Sequence, residues 1–192
     1  MRLQLCTLLA LPLLQASAFQ SEQIVMDPVF VPQQSRQPTL ADVLTIEPSA
    51  SIFYSYAREL TLSNKFSESD ASFTVIAPTN KAVMALACKP HQGPGTVESG
   101  IEITEEEMDS RSKANVERWV SAHIIPQSPI TFDDQTYETL LGGKSLTFSL
   151  SKGESDVSDW SRAVLENNVH IIGKREASNG VLYLIDGTVL LD

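Results

Sequence analysis

Phe73-Thr74-Val75-Ile76-Ala77-Pro78-Thr79-Asn80-Lys81-Ala82-Val83 carries a strand, a stop and a helix start in one short stretch. Phe73 to Ala77 is rich in β-formers, and Pro78 closes the run because it has no N–H for a ladder. Thr79 or Asn80 can then cap a helix whose apolar side would be Val83, Met84 and Leu86-Ala87. A second stretch, Asn179 to Leu191, reads as two strands, Val181–Ile185 and Thr188–Leu191. Asn179-Gly180 and Asp186-Gly187 supply the turns around them.

Upstream of the first stretch, Thr39 followed by Asp42 predicts a helix N-cap, with Leu40, Val43 and Leu44 as the apolar side. After Pro48, Ile52, Phe53, Tyr56 and Leu60 recur at near-helical spacing and are expected to face the core. Between the two stretches, Cys88 to Gly100 holds Pro90, Gly93, Pro94 and Gly95 and reads as an exposed loop. Thr104 with Glu107 forms a capping box, and Glu105 and Glu106 suit the positive end of the helix that follows. Val116, Trp119, Val120, His123 and Ile124 give that helix its buried stripe, and Pro126 and Pro129 are expected to end it. Further on, Lys144 to Leu150 alternates, Ala163–Leu165 and Val169–Ile172 read as strands, and Asn167-Asn168 is a turn. Helices first and strands last, without βαβ alternation, make the class α+β.

The chain has 192 residues, 42% of them hydrophobic and 20% charged. That is one domain's length, with core enough to fold without staples, and it excludes wholesale disorder, collagen and coiled coil. Fourteen basic against 24 acidic residues leave a formal charge of −10. With no basic patch, an acidic surface argues against a nucleic-acid partner.

Met1 and Arg2, the apolar run Leu3–Leu14 and Gln15-Ala16-Ser17-Ala18 read as a signal peptide over residues 1–18. The run is too short for a membrane span of about 20 residues. Residues 19–36 read as an extended, proline-bearing leader whose alternating apolar residues also suit an edge strand. Residues 37–192 read as a single domain. With Cys6 in the signal, Cys88 stands alone, so no internal disulfide is expected. There is no Asn-x-Ser/Thr sequon and no apolar tail after the final strand, so neither N-glycosylation nor a lipid anchor is expected.

The two opening stretches together resemble a fasciclin (FAS1) domain. Phe73–Val83 resembles the family's first signature and Asn179–Leu191 its second, the closing strand pair. Ala122-His123-Ile124-Ile125-Pro126 sits where the family carries a Tyr-His motif, with Ala122 in place of the Tyr. The helices within Thr39–Leu62 and the run Leu140–Leu150 fit the same order, so the resemblance spans about residues 37–192. Lys89–Lys113 is longer than usual, with an acidic stretch from Glu102 to Asp109, and Ser155–Trp160 also reads as inserted. The resemblance implies a wedge of two β-sheets with helices packed around it, a role in adhesion or matrix interaction, and no known catalysis. Its short, single-domain form is similar to fungal secretory-pathway proteins, which points to a vacuole lumen or the cell exterior.

On this reading Thr79, Asn80, His123, Asn179, Gly180 and Asp186 are structural motif residues. Glu102, Glu105, Glu106 and Asp109, in the insertion at about 89–113, are the candidate contacts to a protein or polysaccharide partner. No catalytic, cofactor or metal residues are assigned. His123 on an apolar stripe reads as a buried histidine bonded to backbone. Cys88 and His91 lack a third residue to orient them, so Cys88 reads as a half-buried cysteine at a helix end. The acidic stretch lacks the alternating ligands and Gly bend of a calcium loop. Gly142-Gly143-Lys144-Ser145 lacks the earlier Gly of a phosphate loop and reads as a hairpin turn. The competing reading is a lumenal (vacuolar) hydrolase or other enzyme using surface carboxylates such as Asp133 and Asp134, which needs a cleft with convergent titratable groups.

Overall fold

Thr39 opens the first helix by accepting from the Asp42 N–H, while the Asp42 carboxylate accepts from the Thr39 N–H at 2.9 Å. The computed structural model describes residues 37–93, 104–151 and 159–191. Helix α1 (Leu40–Ile46) stops before Pro48, whose 3₁₀ turn leads into α2 (Ser51–Ala57). A 3₁₀ segment at Thr61–Ser67 precedes strand β1 (Phe73–Pro78) and helix α3 (Asn80–Ala85). Helix α4 (Glu105–Ala122) starts on the Thr104–Glu107 capping box, as its sequence predicts. Then come β2 (Ile124–Ile125), β3 (Thr136–Glu138), β4 (Ser145–Leu150), the single helical turn α5 (Asp159–Arg162), β5 (Ala163–Leu165), β6 (Val169–Ala177) and β7 (Gly180–Ile185).

Among the described residues seven strands run in the order β2-β1-β7-β6-β5-β4-β3. Every pairing is antiparallel except β1 with β7, which are parallel, Phe73 opposite Gly180 through Pro78 opposite Ile185. The Leu140 N–H, just past β3, donates to Ile124 O of β2 at 2.8 Å, so the two edges of the sheet meet and it curls toward a barrel. With helices on the outside, this is the expected α+β class, the two sheets of the wedge joined in one hydrogen-bonded order.

The β1–β7 pair is buried on both faces, which is why Phe73–Ala77 reads as a continuous apolar run rather than an alternating one. Val75, Ala77, Leu182 and Leu184 pack with α1, α2 and α4 around Phe53 and Val120. Ile76, Tyr183 and Ile185 face the other way, onto Phe132, Leu146 and Phe148. Each large side chain removed from water here stabilises the fold by roughly 2 kcal/mol.

Four details correct the sequence reading. Thr188–Leu191 is not a strand, because both sides of β7 are already taken by β1 and β6. It crosses the structure as an irregular strap, so the closing signature holds one strand instead of two. Helix α4 stops at Ala122, earlier than Pro126, because His123 caps it and Ile124 already belongs to β2. Met84 and Ala87 are exposed rather than core, since α3 is a short helix that buries only Ala82 and Val83. Cys88 is exposed as well, lying beyond the end of α3. The leader, Glu102 and most of Ser155–Trp160 lie outside the described residues.

The turn signals hold. Gly142-Gly143 lies in the β3–β4 hairpin, with Gly143 at φ 83°. Asn167 and Asn168 take left-handed φ of 59° and 60° between β5 and β6, a conformation asparagine tolerates better than most residues.

Candidate interaction surface and its supporting residues

The singled-out motif residues are bonded into the fold, and all but Asp186 are at least partly buried. Thr79 is the N-cap of α3, its hydroxyl accepting from the Ala82 N–H at 3.3 Å. Asn80, next to it, reaches away from its own helix. Its carbonyl accepts from the Ile52 N–H at 2.9 Å, and its amide donates to Pro48 O at 2.8 Å and Ser51 Oγ at 3.0 Å. One side chain thus fixes the start of α2 against the start of α3, satisfying backbone groups that helix ends leave open.

Asn179 does the same across a longer sequence distance. It accepts from the Leu40 N–H at 2.8 Å and donates to Phe66 O and Glu68 O, both at 2.9 Å, while 2% exposed. Gly180 follows at φ 152°, and a Cβ there would lie 1.9 Å from Phe73 O, so only glycine lets β7 lie this close to β1. Asp186 is exposed and closes the far end of β7, accepting from the His170 N–H at 2.7 Å.

His123 is fully buried, and both ring nitrogens are engaged. Nε2 accepts from the Val189 N–H at 3.1 Å, so the proton sits on Nδ1 and is donated to Trp119 O at 2.7 Å. Burial pushes the imidazole pKa down to about 4, partly offset by the bond to Trp119 O. A neutral, doubly bonded ring is a structural clasp between α4 and the strap. Ala122 beside it is also fully buried, so position 122 faces the core and not a partner.

The acidic start of α4 differs in kind. Glu105, Glu106 and Asp109 are all exposed, and Met108 among them is 61% exposed. Glu107 is held by the hydroxyl and N–H of Thr104, whose bonds keep its carboxyl below the usual range. Asp109 pairs with Lys113 at 2.7 Å, one helical turn on, and raises the lysine pKa. The structure therefore brings Glu105, Glu106 and Asp109 together on one helix start.

Asp133 and Asp134 sit exposed on the turn ahead of β3. Among the described residues no three His, Cys, Asp or Glu side chains converge as metal ligands. His91, paired in sequence with Cys88, instead has its Nδ1 3.2 Å from Tyr56 Oη.

Three further residues escape sequence reasoning. Glu47 is buried, caps the turn at Ser49, and pairs with Arg175 Nη2 at 3.1 Å. Its Glu-Pro-Ser context is the signal that marks it, because proline favours the first position of a helical turn. Lys89 donates to Val83 O, Met84 O and Leu86 O, closing the end of α3. Arg118 on α4 lines two adjoining clefts beside the strap, one of about 140 Å³ and one of about 260 Å³.

The family model described as "Fasciclin domain" matches residues 48–191. This chain belongs to the fasciclin domain family. A FAS1 domain-containing protein of Emericella nidulans is 32% identical over 159 residues, covering 81% of this chain and 63% of that protein. A counterpart in Aspergillus fumigatus is 36% identical over 124 residues, 62% of this chain and 52% of its own. One in Saccharomyces cerevisiae is 26% identical over 201 residues, 90% of this chain and 73% of its own. The chain thus spans between half and two thirds of the first two relatives. Among solved structures, a FAS1 domain pair from the insect cell adhesion molecule Fasciclin I matches with a TM-score of 0.53 at 15% identity. That match covers 81% of this chain and 52% of the insect one, and it establishes the fold.

Proposed function

We propose that this fasciclin domain is a non-catalytic interaction module of the secretory pathway, engaging a protein or polysaccharide partner through the exposed start of α4. The observation that carries the reading is the division of polar residues. Thr79, Asn80, His123 and Asn179 are bonded into the fold, whereas Glu105, Glu106 and Asp109 face solvent at the start of α4, in the stretch that the sequence reads as an insertion. Insertions on a shared scaffold are where individual recognition resides. The insect relative of this fold belongs to a molecule named for cell adhesion, in keeping with such a role. The signal-like residues 1–18 support delivery to a vacuole lumen or the cell exterior.

The test is capture of partners from cell-surface, wall and vacuolar fractions by the purified protein and by a Glu105→Gln, Glu106→Gln, Asp109→Asn variant. Substitution is preferable to excising residues 92–110, because that cut removes the Thr104 cap and the first turns of α4. Saturable capture that weakens in the variant supports the reading. Capture unchanged in the folded variant refutes the assignment to this face.

A further inference from the structure

Beside the strap Thr188–Leu191, Arg118 and Leu191 line both clefts, so the two adjoin there as the two parts of a groove. Leu86, Pro90, Trp119 and Val189 wall the first part, with exposed Cys88 among them. At about 140 Å³ this part is below the roughly 300–1,000 Å³ of small-molecule sites. It approaches the ~150 Å³ engineered cavity that takes one benzene ring, which is the scale of a single side chain anchored at a protein interface.

The second part runs past Gly142 and Gly143, where a Cβ would meet nothing within 4 Å among the described residues, which leaves room there for an extended segment. The cations around the groove are not equivalent. Lys89 is bound to three backbone carbonyls, the shortest at 2.8 Å, and Lys144 is paired with Glu166 at 3.2 Å. Arg118 is exposed and makes no hydrogen bond or ion pair among the described residues. A guanidinium beside an apolar cleft is suited to bidentate recognition of a carboxylate.

We propose that this groove binds a partner-protein segment that places one bulky apolar side chain against Trp119 and Val189 and a neighbouring carboxylate on Arg118. The inference rests on the interaction-module reading and adds the chemistry of what is bound. His123 holds both walls at once, through Trp119 O and the Val189 N–H, so the cleft is formed before the segment arrives.

The full chain is titrated with the peptide acetyl-Gly-Phe-Asp-Asp-Gly-amide. Binding is read by Trp119 emission in a Trp160→Phe background and by the rate of Cys88 alkylation, mapped by mass spectrometry. The expected result is saturable binding that slows Cys88 alkylation, with affinity about tenfold weaker in Arg118→Gln, the size of one charge-assisted bond. The Ala-for-Phe peptide should fail to bind. Equal affinity in Arg118→Gln, unprotected Cys88, or no binding overturns the proposal. So does 3-phenylpropanoate competing as strongly as the peptide, which would mark a small-molecule site. Partner capture by the wild type that is unaffected by Arg118→Gln sinks the groove but leaves the module; no capture at all sinks the module.

Discussion

Asn179 and the acidic start of α4 are both polar, yet their bonds have opposite reach. Asn179, buried, joins Leu40, Phe66 and Glu68, each more than a hundred residues away in sequence. Glu107 and Asp109 bond only to Thr104 and Lys113, within one turn of their own helix. The first kind cannot change without leaving buried backbone groups unpaired. The second kind can change freely, because water replaces the partner. The polar residues of the two signature-like stretches, Thr79, Asn80 and Asn179, are therefore of the inward kind, and those at the start of α4 of the outward kind.

The sharpest way to break this contrast is Asn179→Ala. It leaves the buried Leu40 N–H and two carbonyls without a partner, and a loss of about 3–5 kcal/mol is expected in urea unfolding. A loss near zero would mean that water satisfies those groups and that Asn179 is not a pin. His123 comes next, through pH. Its folded pKa of about 4 lies below the ordinary 6.5, so the unfolded chain takes up the proton first. The stability this neutral ring contributes is complete above 6.5 and is lost as pH falls from 6.5 to about 4, by about 3 kcal/mol in all. Stability measured from pH 7 to 4.5 should fall in the wild type and less steeply in His123→Gln; parallel profiles would contradict the neutral clasp.

Asn80→Ala ranks third, at about 1–3 kcal/mol, because its bonds lie nearer solvent than those of Asn179. A cost as large as that of Asn179→Ala would show that the α2–α3 junction is as critical as the β7 start. The smallest effect is expected for Glu105→Gln with Glu106→Gln, about 0.5–1 kcal/mol in all, from two exposed charges at the positive end of α4. Thermal melts that fall further would place these carboxylates among the supporting residues.

Local chemistry was legible in the sequence. The Thr39–Asp42 and Thr104–Glu107 boxes, the Thr79 cap and the Gly142-Gly143 turn all act within a few residues of themselves. The buried state of His123 followed from its apolar stripe. What the sequence did not disclose depends on distant segments. The strap at Thr188–Leu191 has strand-like residues but no free edge to join, because β1 pairs with β7 across the length of the domain. Cys88 follows an apolar helix pattern yet lies past the end of a helix shorter than that pattern. The groove draws on residues from Leu86 to Leu191, and no local spacing could have assembled it.

The most direct test of the division between inward pins and outward contacts is partner capture by three folded proteins. These are the wild type, Asn80→Ala, and the Glu105→Gln, Glu106→Gln, Asp109→Asn variant. Capture kept by Asn80→Ala despite its lower stability, and weakened in the acidic-face variant although it stays folded, is the predicted result. Capture lost in folded Asn80→Ala and retained in full by the acidic-face variant would contradict it.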